Sequence, residues 1–182
     1  EGIDAAHKLT ILSSIAYGIP LQFEHCYTEG ISKVSPQDVE FAEELGYRIK
    51  HLGVSRRTDK GIDLRVHPTL IPESRTIAKV DGVLNAVTVN GDAVGDTLYV
   101  GAGAGAGPTA SAVVADVIDL ARTFDAPASA SVNHLALDTN DDVRVLPIEQ
   151  IETAYYLRIQ VQDRKGVLAS IATILSLSLI HI

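Results

Sequence analysis

Basic side chains are in short supply. Fifteen Lys and Arg stand against 23 Asp and Glu in 182 residues, a formal net charge of −8, so the average surface potential repels nucleic acid and anionic membranes. There is one cysteine. Cys26 cannot close an internal disulfide, and its neighbour His25 sits at a spacing that does not pair side chains, so neither a disulfide framework nor a local thiol site is expected and a reducing, cytoplasmic setting fits. No apolar run reaches the roughly 18 residues needed to cross a bilayer, and the opening EGIDAAHKL lacks the basic-then-apolar pattern of a signal peptide. The six histidines show no His-x-x-x-His spacing and there is no cysteine cluster, so no metal site is expected. No serine sits in a Gly-x-Ser-x-Gly context, which leaves hydrolase chemistry without support. Methionine is absent altogether, including at position 1, and the expectation is that the chain is an internal piece of a longer protein.

What is present is a folding sequence. Hydrophobic residues make up 46% and charged residues 21%, a globular composition long enough for one ordinary domain and part of another. Over residues 4–17 the apolar positions Ala5, Leu9, Leu12 and Ala16 recur at helical spacing, with Asp4 suited to an N-terminal cap and Gly18 and Pro20 marking the exit. Ser35, Pro36 and Gln37 open a second helix striped by Val39, Ala42 and Leu45 and ended by Gly46. Residues 47–54 and 62–71 read as a β-hairpin around the turn formers Thr58, Asp59, Lys60 and Gly61. Residues 85–89 and 97–100 read as another, with a tight turn at Asn90, Gly91 and Asp92. A glycine-rich stretch, 101–107, then gives way to Pro108 in the first turn of a helix running to about Thr123. Residues 125–142 read as irregular, 152–161 as a strand and 167–175 as a helix opening a second domain.

Two constellations bear chemistry. Asp4 and Lys8 are four apart, so both side chains leave one face of a helix. A lysine ammonium can give a proton to a developing alkoxide, and a carboxylate can hold that lysine or bind a substrate hydroxyl. Judged by spacing alone, such a pair is far more often a solvated surface ion pair. The second is Gly101-Ala102-Gly103-Ala104-Gly105-Ala106-Gly107-Pro108. Glycines allow a ligand to approach the backbone closely, and the helix that follows offers unpaired N–H groups. No lysine follows the glycines as a P-loop requires, and the match to a dinucleotide-binding fingerprint is loose. Alone, such a loop is more often a plain turn. Arg65 and His67 alternate on one face of a strand and are expected to have structural partners rather than a catalytic role.

The run from Glu1 to Leu9 resembles the signature of homoserine dehydrogenases, and so does Gly-x-Gly-Ala-Gly-x-x-Pro-Thr-Ala-Ser-Ala-Val-Val over 101–114. Between them, residues 45–50, 65–72 and 82–87 resemble the same family in the same order. The resemblance implies that Lys8 is the catalytic proton donor, that Asp4 binds substrate beside it, and that Gly103, Ala104 and Gly105 touch a NADP or NAD cofactor through their main chain. It also implies interconversion of homoserine and aspartate semialdehyde, on the route to threonine, methionine and isoleucine, in a homodimer. Residues 155–168 resemble the opening strand, loop and helix of an ACT domain, which implies an amino acid effector such as threonine held at Asp163 and Gly166.

The expected fold is therefore α+β, a mixed sheet of about five strands with helices on one face and the other face left for subunit contact, followed by an incomplete ACT-like βα unit. The expected domains are a catalytic, substrate-binding and dimerisation domain over 1–130, a linker over 131–151 and a truncated ACT-like domain over 152–182. The last residues, 177–182, depart from the ACT pattern. In the family the nucleotide-binding domain, a second lysine and a substrate-binding glutamate precede this region, so residues 1–182 alone are expected to bind cofactor poorly and turn over little. A non-catalytic amino acid sensor and a purely structural dimerisation module are the alternatives.

Overall fold

Thr58 closes the turn on which the fold is built: its hydroxyl donates to the Gly61 carbonyl at 2.8 Å and accepts from the Lys60 N–H at 3.2 Å. From that turn two long strands, β2 (Tyr47–Thr58) and β3 (Gly61–Pro72), run back antiparallel and pair along their whole length. A short strand, β1 (Tyr27–Thr28), joins the other edge of β3 in parallel, giving a mixed sheet of order β1-β3-β2. The structure is a computed structural model that describes residues 1–124 and 142–177. Residues 125–141, which take in the end of the expected first domain, the first half of the linker expected over 131–151 and His134, and the closing residues 178–182 lie outside the described residues.

One face of this sheet carries α1 (Ile3–Tyr17). Ala6, Ile19, Cys26, Ile62, Leu64, Val66 and Val145 form the core beneath it, with Ala5, Leu9, Tyr17 and Val143 packed around them. Gly53 of β2 permits the approach: a β-carbon there would stand 3.2 Å from Leu9 Cδ1. The helix buries a face different from the expected stripe. Leu12 and Ala16 are exposed, and Ala6, Thr10 and Ser13 are buried. Both hydroxyls are satisfied within the helix, Thr10 donating to the Ala6 carbonyl at 2.8 Å and Ser13 to that of Leu9 at 2.7 Å, so small polar residues are buried here without an orphaned group. The expected cap also shifts. Gly2, at φ 90°, is the N-cap, and Asp4 lies inside the first turn.

The second helix, α2 (Pro36–Glu44), begins where the sequence says it should. Ser35 accepts from the Asp38 N–H while the Asp38 carboxylate accepts from the Ser35 N–H, a reciprocal cap, with Pro36 in the first turn. Ala42 of the expected stripe is buried, while Val39 and Leu45 are exposed.

Two further strands, β4 (Leu84–Gly91) and β5 (Gly95–Ala102), make an antiparallel pair of their own. Among the described residues the strands form two sheets rather than the one mixed sheet expected. Lys50 of β2 donates to the Val80 carbonyl at 2.7 Å and pairs with Asp81 at 2.6 Å, which anchors the connecting segment before β4 begins. The turn of this hairpin is also displaced from the Asn-Gly pair. Asn90 stays in register with Asp96 and donates its side-chain amide to that carboxylate, Gly91 pairs with Gly95, and the loop is residues 92–94. Gly95 supplies the positive φ, 71°, that a three-residue loop needs.

Beyond β5 runs α3 (Ala106–Thr123), with Pro108 in its first turn and none of its residues buried. Past the undescribed stretch, the chain lays Val145 beside Ile62: the Ile62 N–H donates to the Arg144 carbonyl at 3.0 Å and the Leu146 N–H to that of Ile62 at 2.8 Å. β3 is buried at every position from Ile62 to Val66, the charged Asp63 and Arg65 included.

A second unit starts at Thr153. Its helix, α4 (Val167–Leu177), matches the expected one. The strand expected over 152–161 is not formed. A strand exists only when paired, and among the described residues no neighbour pairs with this segment.

Candidate active site

Lys8 donates a hydrogen bond to Asp4 Oδ2 along α1, and both side chains reach solvent, Lys8 at 64% exposure and Asp4 at 87%. The spacing alone accounts for the pair, since one helical turn brings the two groups together. Its setting is more particular. The start of α1 rests on a tight seat: a β-carbon on Gly2 would meet His51 Cε1 and Thr28 Cγ2 at 3.1 Å each, and one on Gly30 would stand 2.9 Å from the Glu1 α-carbon. His51 Nε2 lies 2.9 Å from the Glu29 carbonyl oxygen. Substitutions in that seat would move the helix that carries the pair.

Next to the pair, the His7 ring stacks flat on Phe23, with centroids 3.9 Å apart and planes at 4°. Glu1, Gly2, Ile3, Asp4 and His7 line an open depression at this end of the helix. A carboxylate lining an open depression, with an ammonium hydrogen-bonded to it, can hold a small polar molecule and exchange a proton with it. Glu1 and Asp4 give that rim acidic character, suited to an ammonium or hydroxyl group on the ligand.

The glycine-rich stretch lies elsewhere in the chain's contacts. Gly103, Ala104 and Gly105 span the short gap between the end of β5 and α3, and Gly105, at φ 131°, is the N-cap of α3. Space is open where β-carbons on Gly101 and Gly107 would lie. Among the described residues no hydrogen bond or ion pair joins this loop to Asp4 or Lys8. The residues of the first turn of α3 are exposed, Pro108 has no N–H and the Thr109 N–H is bonded to the Gly105 carbonyl, so the loop can present the main-chain N–H groups of Ala106 and Gly107 and no cationic side chain, which suits a neutral amide better than a phosphate.

Asp63 and Arg65 make a further charged pair, this one internal. Arg65 Nη1 stands 3.1 Å from Asp63 Oδ2, and Arg56 Nη2 is 3.5 Å from the same oxygen. Burial pushes the Asp63 carboxyl above the usual carboxylate range, against the pull of Arg65, Arg56 and His67. His67 Nδ1 lies 2.9 Å from the Pro68 carbonyl oxygen and 3.2 Å from the Thr69 hydroxyl. Asp63 passed unnoticed in the sequence because the alternation of Ile62, Leu64 and Val66 with charged residues reads as a half-exposed strand. Cys26 is buried, and burial pushes its thiol up, the reverse of what a nucleophilic thiol needs.

Residues 1–118 match the family model described as Homoserine dehydrogenase. The chain belongs to the homoserine dehydrogenase family. It is 65% identical over 178 residues to a homoserine dehydrogenase of Pseudomonas aeruginosa and 58% identical to one of Neisseria gonorrhoeae, each match covering 97% of this chain and 41% of the relative. A crystal structure of a homoserine dehydrogenase from Thiobacillus denitrificans superposes with a TM-score of 0.92 at 62% identity, over 98% of this chain and 42% of that one. One from S. aureus superposes with a TM-score of 0.64 at 37% identity, over 73% and 33%. The chain thus spans about two-fifths of the length of the curated homoserine dehydrogenases it matches. The family match takes in Asp4, Lys8 and the whole glycine-rich stretch, so both sequence motifs fall inside it.

In the second unit, Gly166 has φ 87° just ahead of α4, and the Ser170 N–H donates to its carbonyl at 3.0 Å. Asp163 lies in the irregular segment before it. No helix among the described residues is long and apolar enough to cross a membrane.

Proposed function

We propose that the full-length protein is a homoserine dehydrogenase that interconverts L-homoserine and L-aspartate 4-semialdehyde, with Lys8 as the proton-transferring group and Asp4 as its partner in substrate binding. The observation that carries this reading is the Asp4–Lys8 contact on α1, inside a region that belongs to the family.

The loop from Gly103 to Gly105 fits the nicotinamide end of NADP or NAD. It offers main-chain donors at the start of α3, open space beside Gly101 and Gly107, and no cationic side chain that would mark a phosphate site. When bound, the nicotinamide supplies the hydride for reduction, or accepts it in the oxidation of homoserine. Lys8 works on the oxygen. In the reducing direction its ammonium donates a proton to the aldehyde oxygen as negative charge develops there, and in the oxidising direction its amine takes the proton from the homoserine hydroxyl. Asp4, which lines the depression, holds Lys8 through their hydrogen bond. The acidic rim formed by Glu1 and Asp4 favours the α-ammonium group of an amino acid substrate.

The same reading places the reaction on the route to threonine, methionine and isoleucine in the cytoplasm, with the protein acting as a homodimer. Residues 152–182 are the opening of an ACT-type regulatory domain, with Asp163 and the positive-φ Gly166 at the turn that holds an amino acid effector such as threonine. Two assays on a chain carried to the length of the curated relatives test this. Homoserine-dependent formation of NADPH or NADH tests the activity; its absence with both cofactors, in a folded protein, overturns the assignment. A shift in melting temperature with threonine that is lost in Asp163→Ala tests the effector site.

A further inference from the structure

The four glycines at 101, 103, 105 and 107 do not lack side chains for one shared reason. Space is open around the β-carbon positions of Gly101 and Gly107, and Gly105 has a backbone that side chains rarely adopt, φ 131°. Gly103 differs. A β-carbon there would stand 1.6 Å from Asn85 Nδ2, 2.4 Å from Asn85 Cγ and 3.1 Å from Asn85 Cβ. The Asn85 carboxamide already occupies the place of the missing side chain.

The register explains the contact. Leu84 pairs with Ala102 and Asn85 with Gly101, so Gly103 is the first residue beyond the paired end of the β4–β5 hairpin. From β4, the Asn85 side chain reaches across that end and lies against the main chain as it leaves the sheet. A stretch with glycine at every second position has more backbone freedom than an ordinary sequence, and holding it in one conformation costs entropy. A side chain wedged against Gly103 removes part of that freedom before any ligand arrives. Apart from the main-chain place of Asn85 in the β4–β5 ladder, its side chain makes no hydrogen bond among the described residues, and the residue is exposed, so no polar partner fixes the carboxamide.

We propose that Asn85 is a positioning residue for the glycine-rich loop, and that Gly103 is glycine to house the Asn85 carboxamide rather than to admit the cofactor itself. The inference rests on the reading of this loop as the contact for the nicotinamide end. Asn85 acts by pre-organising the main chain of Gly103 to Gly105, so its loss weakens cofactor binding and leaves the chemical step alone.

The test is a double-variant cycle in the full-length enzyme: Asn85→Ala, Gly103→Ala and both together, with KM for the nicotinamide cofactor, KM for homoserine, kcat at saturating cofactor and melting temperature. Asn85 is exposed and can swing aside, so Gly103→Ala displaces the carboxamide without unfolding the hairpin. The expected result is that each single variant raises KM for the cofactor by about five- to tenfold, the cost of ordering roughly one more residue's backbone on binding. The double variant is no worse than either single one, and kcat and KM for homoserine hold. If Asn85→Ala leaves the cofactor KM unchanged while Gly103→Ala raises it, the glycine serves the cofactor and the proposal is overturned, with the loop's role intact. If the two sites couple in melting temperature but no variant moves the cofactor KM, the reading of the loop as a cofactor contact is overturned, and this role for Asn85 with it.

Discussion

Arg65 and Asp63 lie two residues apart on β3 and face each other across 3.1 Å, with 9% and 0% of their side chains exposed. The contact is poorly aligned: neither Asp63 oxygen, nor Arg65 Nε or Nη1, has a hydrogen-bond partner. A buried ion pair of this kind adds little net stability, because desolvation offsets the attraction, but removing one partner strands the other. Arg65→Met is therefore expected to destabilise the fold by about 3–5 kcal/mol, and Asp63→Leu combined with Arg65→Met to recover most of that loss. Urea unfolding of the two variants checks this. A loss under about 1 kcal/mol in Arg65→Met would show that Arg56, 3.5 Å from the same oxygen, suffices.

Two aspartates should titrate in opposite senses. Asp63 has its pKa raised by burial, so the native state binds its proton before the unfolded chain does. Its contribution to stability rises as pH falls through that raised pKa toward the ordinary value, and levels off below it. Asp81 is held below the ordinary range by its hydrogen bond from Lys50. Its contribution is present above the ordinary pKa and is lost as pH falls through the depressed one. Carboxyl-carbon NMR titration should find Asp63 above and Asp81 below the usual aspartate value; the reverse order would contradict both assignments.

Gly53 sets how closely α1 approaches the sheet. Leu9 Cδ1 and Cδ2 would lie 3.2 and 3.4 Å from a β-carbon at that position, so Gly53→Val overpacks the contact and is expected to cost about 1–3 kcal/mol. Pairing it with Leu9→Ala should return part of that loss. Thermal unfolding of the single and double variants reads the coupling, and strictly additive effects would show that the helix is not held off by Leu9.

Features that depend on a few neighbouring residues were legible in the sequence. Ser35, Pro36 and Asp38 announce α2, Thr58 to Gly61 announce the long hairpin, and the spacing of Asp4 and Lys8 already puts them on one turn. Features that depend on distant chain were not. Nothing local says that Val145 returns to Ile62, that Asp63 is buried, or that Asn85 fills the space at Gly103. The buried face of α1 was misread because hydropathy does not count hydroxyls that satisfy themselves on their own helix, as those of Thr10 and Ser13 do. The Asn90-Gly91 pair favours a turn, yet the Asn90–Asp96 contact keeps it in the strand and Gly95 takes over. At residues 152–161 an apolar pattern predicted a strand where, among the described residues, there is none to pair with.

The proton-transfer role of Lys8 is the centre of this account, and Lys8→Ala in the full-length enzyme tests it most directly. Lys8 is exposed, so its removal should leave the melting temperature and the affinity for NADPH nearly unchanged. Loss of a general acid–base group predicts a fall in kcat/KM for homoserine of about 10²- to 10⁴-fold. A variant that keeps turnover within about threefold of the parent, far short of that range, would show that Lys8 is only a surface partner of Asp4.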